Sequence, residues 1–231
     1  MKTLKQHLEK LTTIQRKRHH PLIHKIHKKH NISKKTLFYV KEYGPHSHVP
    51  RTILKESLKI LLLASIISAF GGLALESIKT IFISIIPLLI MLPAMNDMIG
   101  DYGTIISSRF STMLHEGKLN RKWLANEELK NLFIQVLIIA TITTLLSAGI
   151  AFSISYFSGY SLSHSIALKI LFITLIDVLL LVNLLFVTSI MAGIYFYKKQ
   201  EDPNNFLIPI TTSVADFGNM ILLAILISLF F

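Results

Sequence analysis

Five acidic residues stand inside, or at the ends of, stretches otherwise built from Leu, Ile, Val, Phe and Ala: Glu76, Asp97, Asp101, Asp177 and Asp216. On insertion scales an ionisable side chain at the centre of a membrane helix costs about 2.5–3.5 kcal/mol, so such groups face a bundle interior or a water-filled path. An acidic path favours cations. Asp97 and Asp101 are four residues apart and share one helix face. Asn96 adds a polar neighbour, Gly100 and Gly103 permit close backbone approach, and Pro93 is expected to disrupt the helix just upstream. Thr212, Asp216 and Asn219 fall on one face at i, i+4 and i+7, and the stretch from Phe206 to Phe231 holds no Lys, Arg or His. A lone mid-membrane carboxyl either binds a cation or keeps its proton and bonds a backbone carbonyl. Asp177, accompanied by Asn183, suits an interhelical hydrogen bond as well as a functional role. Glu76 reads equally as a mouth residue or a solvated helix end.

The elements that must position these residues are apolar runs at Leu58–Leu75, Thr80–Met98, Leu132–Phe157, Ile166–Tyr197 and Phe206–Phe231. About 20 helical residues cross a hydrocarbon core of roughly 30 Å. Only helices and closed barrels satisfy their backbone polar groups in lipid, and runs this long without alternation specify helices. The expected fold is therefore an all-α integral membrane protein with five transmembrane helices. No internal repeat is visible.

Orientation follows from the positive charges. Residues 1–59 hold 15 of the 24 Lys and Arg, the second-to-third connection holds Arg109, Lys118, Arg121, Lys122 and Lys130, and the fourth-to-fifth holds Lys198 and Lys199. With these segments inside, only Lys79 and Lys169 fall near the other face. The positive-inside rule then puts the N-terminus in and the C-terminus out.

Composition agrees. The chain has 231 residues, 52% of them hydrophobic and 16% charged, with mean hydropathy +0.54. These values exclude a disordered chain and argue against a soluble domain, which carries about 25% charged residues. Zero cysteines exclude a disulfide framework, a thiolate zinc site and a cysteine nucleophile. The net charge of +11 is concentrated in residues 1–50, a basic tail that also holds 8 of the 10 His. Leu4, Leu8, Leu11 and Ile14 recur at helical spacing among Lys and Arg, the pattern of an amphipathic helix on anionic lipid headgroups. His19, His20, His24, His27 and His30 read as a solvated basic segment, with His20/His24 and His27/His30 as the pairs that a transition metal would need. Pro21 is expected to weaken a continuous helix there. Positive-inside topology accounts for the charge, and no nucleic-acid partner is expected.

At the acidic segments residues 51–231 resemble a known family, the membrane domain of MgtE magnesium channels and the related solute carrier family forty-one transporters. Asp202-Pro203-Asn204-Asn205, Pro209, Thr211-Thr212-Ser213 and Ala215-Asp216 are similar to the family's fifth-span motif, and Gly100-Asp101 through Ser108-Arg109-Phe110-Ser111-Thr112 is similar to its second-span motif. Glu76 stands where the family often closes its first span with Glu. The resemblance implies a homodimer whose second and fifth spans line a shared path for Mg2+ or another divalent cation. It also implies that Asp216 is the coordinating carboxylate, with carbonyl ligands from the backbone around Thr212. The remaining candidate metal-site residues are Asp101, Asp97, Asn96 and Asn219. Asp101 replaces the family's usual Asn, and Asp97 adds charge. The N domain and CBS pair of bacterial MgtE have no counterpart in this sequence.

Mg2+ prefers six oxygen ligands and sheds water reluctantly, so few carboxylates and room for a hydrated ion suit it. A negative-inside potential drives a divalent cation inward by about 4.6 kcal/mol per 100 mV. No ATP-binding motif is present. Three alternatives stay open: a membrane scaffold whose acids bond helices together, a membrane-embedded metal-dependent enzyme, and a Na+-coupled exchanger or one for another divalent cation. Asp97 to Gly103 lacks the spacing of CDP-alcohol phosphotransferases, and neither a zincin motif nor a nucleophile elbow occurs. An enzyme is not expected.

Overall fold

The computed structural model describes residues 4, 6–8, 21–32, 37, 49–115, 126–199 and 203–231. Most of the amphipathic segment expected over residues 1–18 lies outside these, as do His19, His20 and Asp202. The described elements are all helical. They are α1 (Pro21–His30), α2 (Val49–Ser77), α3 (Lys79–Ser84), α4 (Ile86–His115), α5 (Glu127–Phe157), α6 (His164–Lys198) and α7 (Pro203–Phe230).

Pro21 is the first described residue of α1, and a first-turn position is one that proline tolerates. In the tail His27 Nδ1 donates to the Ile32 carbonyl at 2.7 Å, and the rings of His7 and His30 meet edge-on at 6.1 Å.

Four helices among the described residues are long and apolar enough to cross a membrane: Ser57–Ser77 within α2, α5, α6 and α7. The second expected span differs from its sequence reading. It is two helices, because the chain breaks at Ile85 (φ −111°, ψ 81°) between α3 and α4. Pro87 explains the restart, since proline fits the first turn of a helix but not its interior. The Tyr160 hydroxyl donates to the Ser84 carbonyl at the break, at 3.2 Å.

From Ile86, α4 continues for 30 residues, about 45 Å. Pro93 lies inside it, so the disruption expected there does not occur. Asp97 and Asp101 therefore stand near the middle of α4 and not at the end of a helix. The run Asn96-Asp97 with Asp101 also keeps α4 out of the set of helices apolar enough to cross a membrane by composition alone.

Local signals fix the remaining ends. Asn126 caps α5, its Oδ1 accepting from Leu129 N at 3.1 Å, with Glu127 and Glu128 in the first turn. Ser163 caps α6 by accepting from Ile166 N. Pro203 opens α7.

The core is the seam where α4, α6 and α7 meet. Met95, Ile99, Ile106, Leu181, Leu185, Ala215 and Leu223 are all buried in it. Close helix approach in membranes relies on small residues. A Cβ on Gly193 of α6 would stand 2.7 Å from the Phe110 ring and 3.2 Å from Leu207, so glycine alone lets the three helices meet there. Beside it, buried Ser107 shares hydrogen bonds with Ser189 at 3.2 Å and Thr211 at 3.1 Å. This knot of hydroxyls joins the two segments that carry the sequence motifs.

Candidate cation site

Asp216 sits at the middle of α7, with thirteen helical residues before it and fourteen after. Three helices converge on its carboxyl group. From α4, Asn96 Nδ2 donates to Oδ1 at 2.7 Å. From α2, Ser68 Oγ donates to Oδ2 at 3.1 Å. Behind Asn96, Asn219 Nδ2 donates to Asn96 Oδ1 at 3.0 Å. The direction of this chain is fixed by chemistry. A carboxylate only accepts, so Asn96 must turn its N–H2 to Asp216 and its carbonyl to Asn219. No backbone carbonyl takes part.

Asp216, Asn96 and Ser68 are half-buried, whereas Asn219 is fully buried. The carboxyl thus has supported oxygens and an open side. Hydrogen bonds to a charged group contribute about 1.5–3 kcal/mol each, which offsets part of the cost of placing the acid in a membrane.

Glycine sets the reach of α2. A Cβ on Gly71, one turn after Ser68, would stand 2.9 Å from Met220 Sδ and 3.2 Å from Phe217 Cα. Without it α2 could not lie close enough to α7 for Ser68 to reach Asp216. Ser68 is the site residue that sequence reasoning missed. Its signal was the pair Ser68 and Gly71, three apart on one face of an otherwise apolar helix.

Of the six candidate residues, the structure brings Asp216, Asn96 and Asn219 together. Thr212 lies one turn before Asp216, half-buried, with its hydroxyl donating to the Ile208 carbonyl at 2.8 Å and its methyl 3.7 Å from the Cβ position of Gly100. Asp97 and Asp101 do not join the cluster. Both are exposed and make no hydrogen bond or ion pair among the described residues. They belong to a polar stripe on the open face of α4: Asp97, Asp101, Thr104, Ser108 and Thr112 follow one another at helical spacing, all exposed except half-buried Thr104. The opposite face buries Met95, Ile99, Ile106 and Phe110.

A family model described as MgtE, divalent cation transporter, matches residues 92–226, more than half of the chain. The chain belongs to the MgtE family of divalent cation transporters. The matched MgtE region runs from α4 into α7 and contains Asn96, Asp97, Asp101, Thr212, Asp216 and Asn219. Membership together with four long apolar helices makes it a multi-pass membrane protein. MgtE proteins are transporters and not an enzyme family, in agreement with the missing catalytic motifs. The chain matches no curated protein and no solved structure at a significant level.

Two other acids have different settings. Glu76 pairs with Lys79 at 3.2 Å on an open surface, both side chains more than half exposed. Such pairs are worth little. Asp177 is fully buried in α6 and makes no interhelical hydrogen bond among the described residues. Asn183 donates to the Leu179 carbonyl of its own helix at 2.7 Å, away from Asp177.

Proposed function

We propose that this chain carries Mg2+ across the membrane as a homodimer, with Asp216 as the ion-facing carboxylate of each protomer. The observation that carries the reading is the Asp216 cluster: a carboxyl at mid-helix, supported by Ser68 and Asn96 from two other helices, and open on one side. All of its supporting groups are oxygens or amide donors, and no soft ligand is among them. Hard oxygen ligands of this kind suit Mg2+.

In this reading the chain runs with its N-terminus in and its C-terminus out, and α4 is the second of five membrane spans. Its length suffices, and its polar stripe needs a watery lining. Facing lipid, Asp97 and Asp101 would each cost about 2.5–3.5 kcal/mol on insertion scales. A second copy placing its own α4 and α7 opposite removes that cost by enclosing water between the two stripes. Asp97 and Asp101 then concentrate divalent cations electrostatically, and Asp216 binds them, with Thr212 and its backbone beside it. Asn96 and Asn219 hold Asp216 in place. A membrane potential supplies the driving force. Residues 1–50 form a basic tail on anionic headgroups, and residues 51–231 form the transport domain.

The test is Mg2+ uptake by purified protein in liposomes, with and without an imposed potential and a Na+ gradient. Uptake driven by potential alone, and lost in Asp216→Asn while the dimer persists, is expected. Wild-type uptake in Asp216→Asn would sink the assignment. A strict requirement for the Na+ gradient would replace the channel with an exchanger.

A further inference from the structure

The hydrogen-bond chain behind Asp216 ends on an orphan. Asn219 spends its N–H2 on Asn96, which leaves its Oδ1 as a buried acceptor with no partner among the described residues. Asp177 shares that condition: it is wholly buried, and neither carboxyl oxygen has a hydrogen-bond partner. Unpaired buried polar groups are costly, and one proton on Asp177 directed at Asn219 would satisfy two of these three oxygens.

Helix register places the two within one turn of each other. The α6 and α7 helices run antiparallel: Gly193 lies against Leu207, and Leu181 lies against Gly218, its Cδ2 2.6 Å from the Cβ position. Leu185 approaches Gly103 of α4. Asp177, Leu181 and Leu185 recur every four residues, so this face of α6 looks into the seam between α4 and α7. Asp177 is one turn before Leu181, and Asn219 directly follows Gly218. The level that Asp177 occupies along α7 is therefore about one turn past Gly218, at Leu222, within one turn of Asn219. Met95, Ile99, Leu181 and Leu223 are buried in the same core, and Asp177 makes no ion pair among the described residues.

We propose that Asp177 is a positioning residue for Asp216: as a neutral acid it supplies, across one water, the donor that the Asn219 carbonyl lacks. A carboxyl closed off from bulk water with no cation beside it keeps its proton. The relay then runs Asp177, Asn219, Asn96, Asp216, every donor facing the carboxylate that meets the ion. Asp177 never touches the ion; it orients the group that does. The inference rests on the reading of Asp216 as the ion-facing group.

The experiment compares Mg2+ uptake in proteoliposomes by the wild type, D177N, D177V, N219V and the D177V/N219V double variant, with half-saturating concentration and maximal rate read separately. D177N keeps a donor and should stay near the wild type. D177V should raise the half-saturating concentration about tenfold, the effect of one lost hydrogen bond in the chain. The double variant should be no worse than N219V alone, because both substitutions break the same relay. D177N as impaired as D177V would overturn the proposal in favour of an ionised carboxylate holding a cation. Wild-type behaviour of D177V, or fully additive losses in the double variant, would also overturn it. Infrared spectra of the purified full chain give a readout that needs neither uptake nor D177V folding. A protonated-carboxyl carbonyl band present in the wild type and missing in D177N is expected, and its absence from the wild type would overturn the proposal. Failure of wild-type uptake would instead count against Mg2+ transport itself.

Discussion

Asn96 of α4 donates to Asp216 of α7 at 2.7 Å, across 120 residues of sequence. The bond joins the two helices that carry the family's motifs and fixes the carboxyl of the one with the amide of the other. Asn96→Leu keeps the size of the side chain and removes the donor. It should raise the half-saturating Mg2+ concentration about tenfold, since a bond to a charged group is worth about 1.5–3 kcal/mol. Ser68→Ala, which loses the longer bond from α2, should do so by a smaller factor. Concentration-dependent uptake in liposomes checks both.

Gly71 controls whether Ser68 can reach its partner. Gly71→Val puts a branched side chain where Met220 Sδ and Phe217 Cα already stand within 3.2 Å or less of the Cβ position. The expected outcome is a loss of apparent affinity at least as large as that of Ser68→Ala, because α2 moves off α7. A cysteine pair introduced at Ser68 and Asp216 should cross-link in the Gly71 background and fail to do so in Gly71→Val.

Asp97 and Asp101 lie exposed on α4, outside the bonded cluster, so their effect is electrostatic. The double variant Asp97→Asn, Asp101→Asn should reduce uptake several-fold at low Mg2+ and spare the maximal rate. Raising ionic strength from low to physiological should shrink the difference, as the screening length falls to about 8 Å. Glu76→Gln, which breaks only a solvated pair with Lys79, should change neither. Uptake measured against salt for the three proteins decides this.

Gly193 is where the core is tightest. Gly193→Ala should destabilise the protein by about 1–3 kcal/mol, because its Cβ would meet the wholly buried Phe110 ring at 2.7 Å. A lowered thermal midpoint in detergent, with unchanged half-saturating Mg2+ in the fraction that remains folded, is expected.

Removing residues 1–40 should leave the uptake rate per assembled protein unchanged. No described residue of the tail belongs to the Asp216 cluster. Loss of uptake by a correctly inserted truncation would place the tail in the permeation machinery.

The sequence by itself determined the class of protein and the identity of its central acid. Long apolar runs admit only helices in lipid, and an acid with no cationic residue in its own stretch singles out Asp216 as the candidate for an ion-facing group. The i, i+4 spacing of Asp97 and Asp101 likewise placed them on one face. What sequence spacing could not decide was which way that face turns. Asn96 and Asp97 are adjacent, about 100° apart around a helix, so one enters the bonded cluster while the other faces outward. Only the packing of α4 against α6 and α7 selects between them. The break at Ile85 was equally hidden, because Pro87 and Pro93 look alike in an apolar run, and only their position relative to the helix start distinguishes a tolerated first-turn proline from an interior one. Ser68 and Asp177 depended on tertiary structure most of all. The spacing of Ser68 and Gly71 marks one face of α2 without saying what that face meets, and a lone Asp carries no pattern beyond its cost. Ser68 gained its role when Gly71 let α2 close on α7, and Asp177 gained its burial when Leu181 met Gly218. Periodicity along one helix sets the face a residue occupies; contact between helices decides what that face meets.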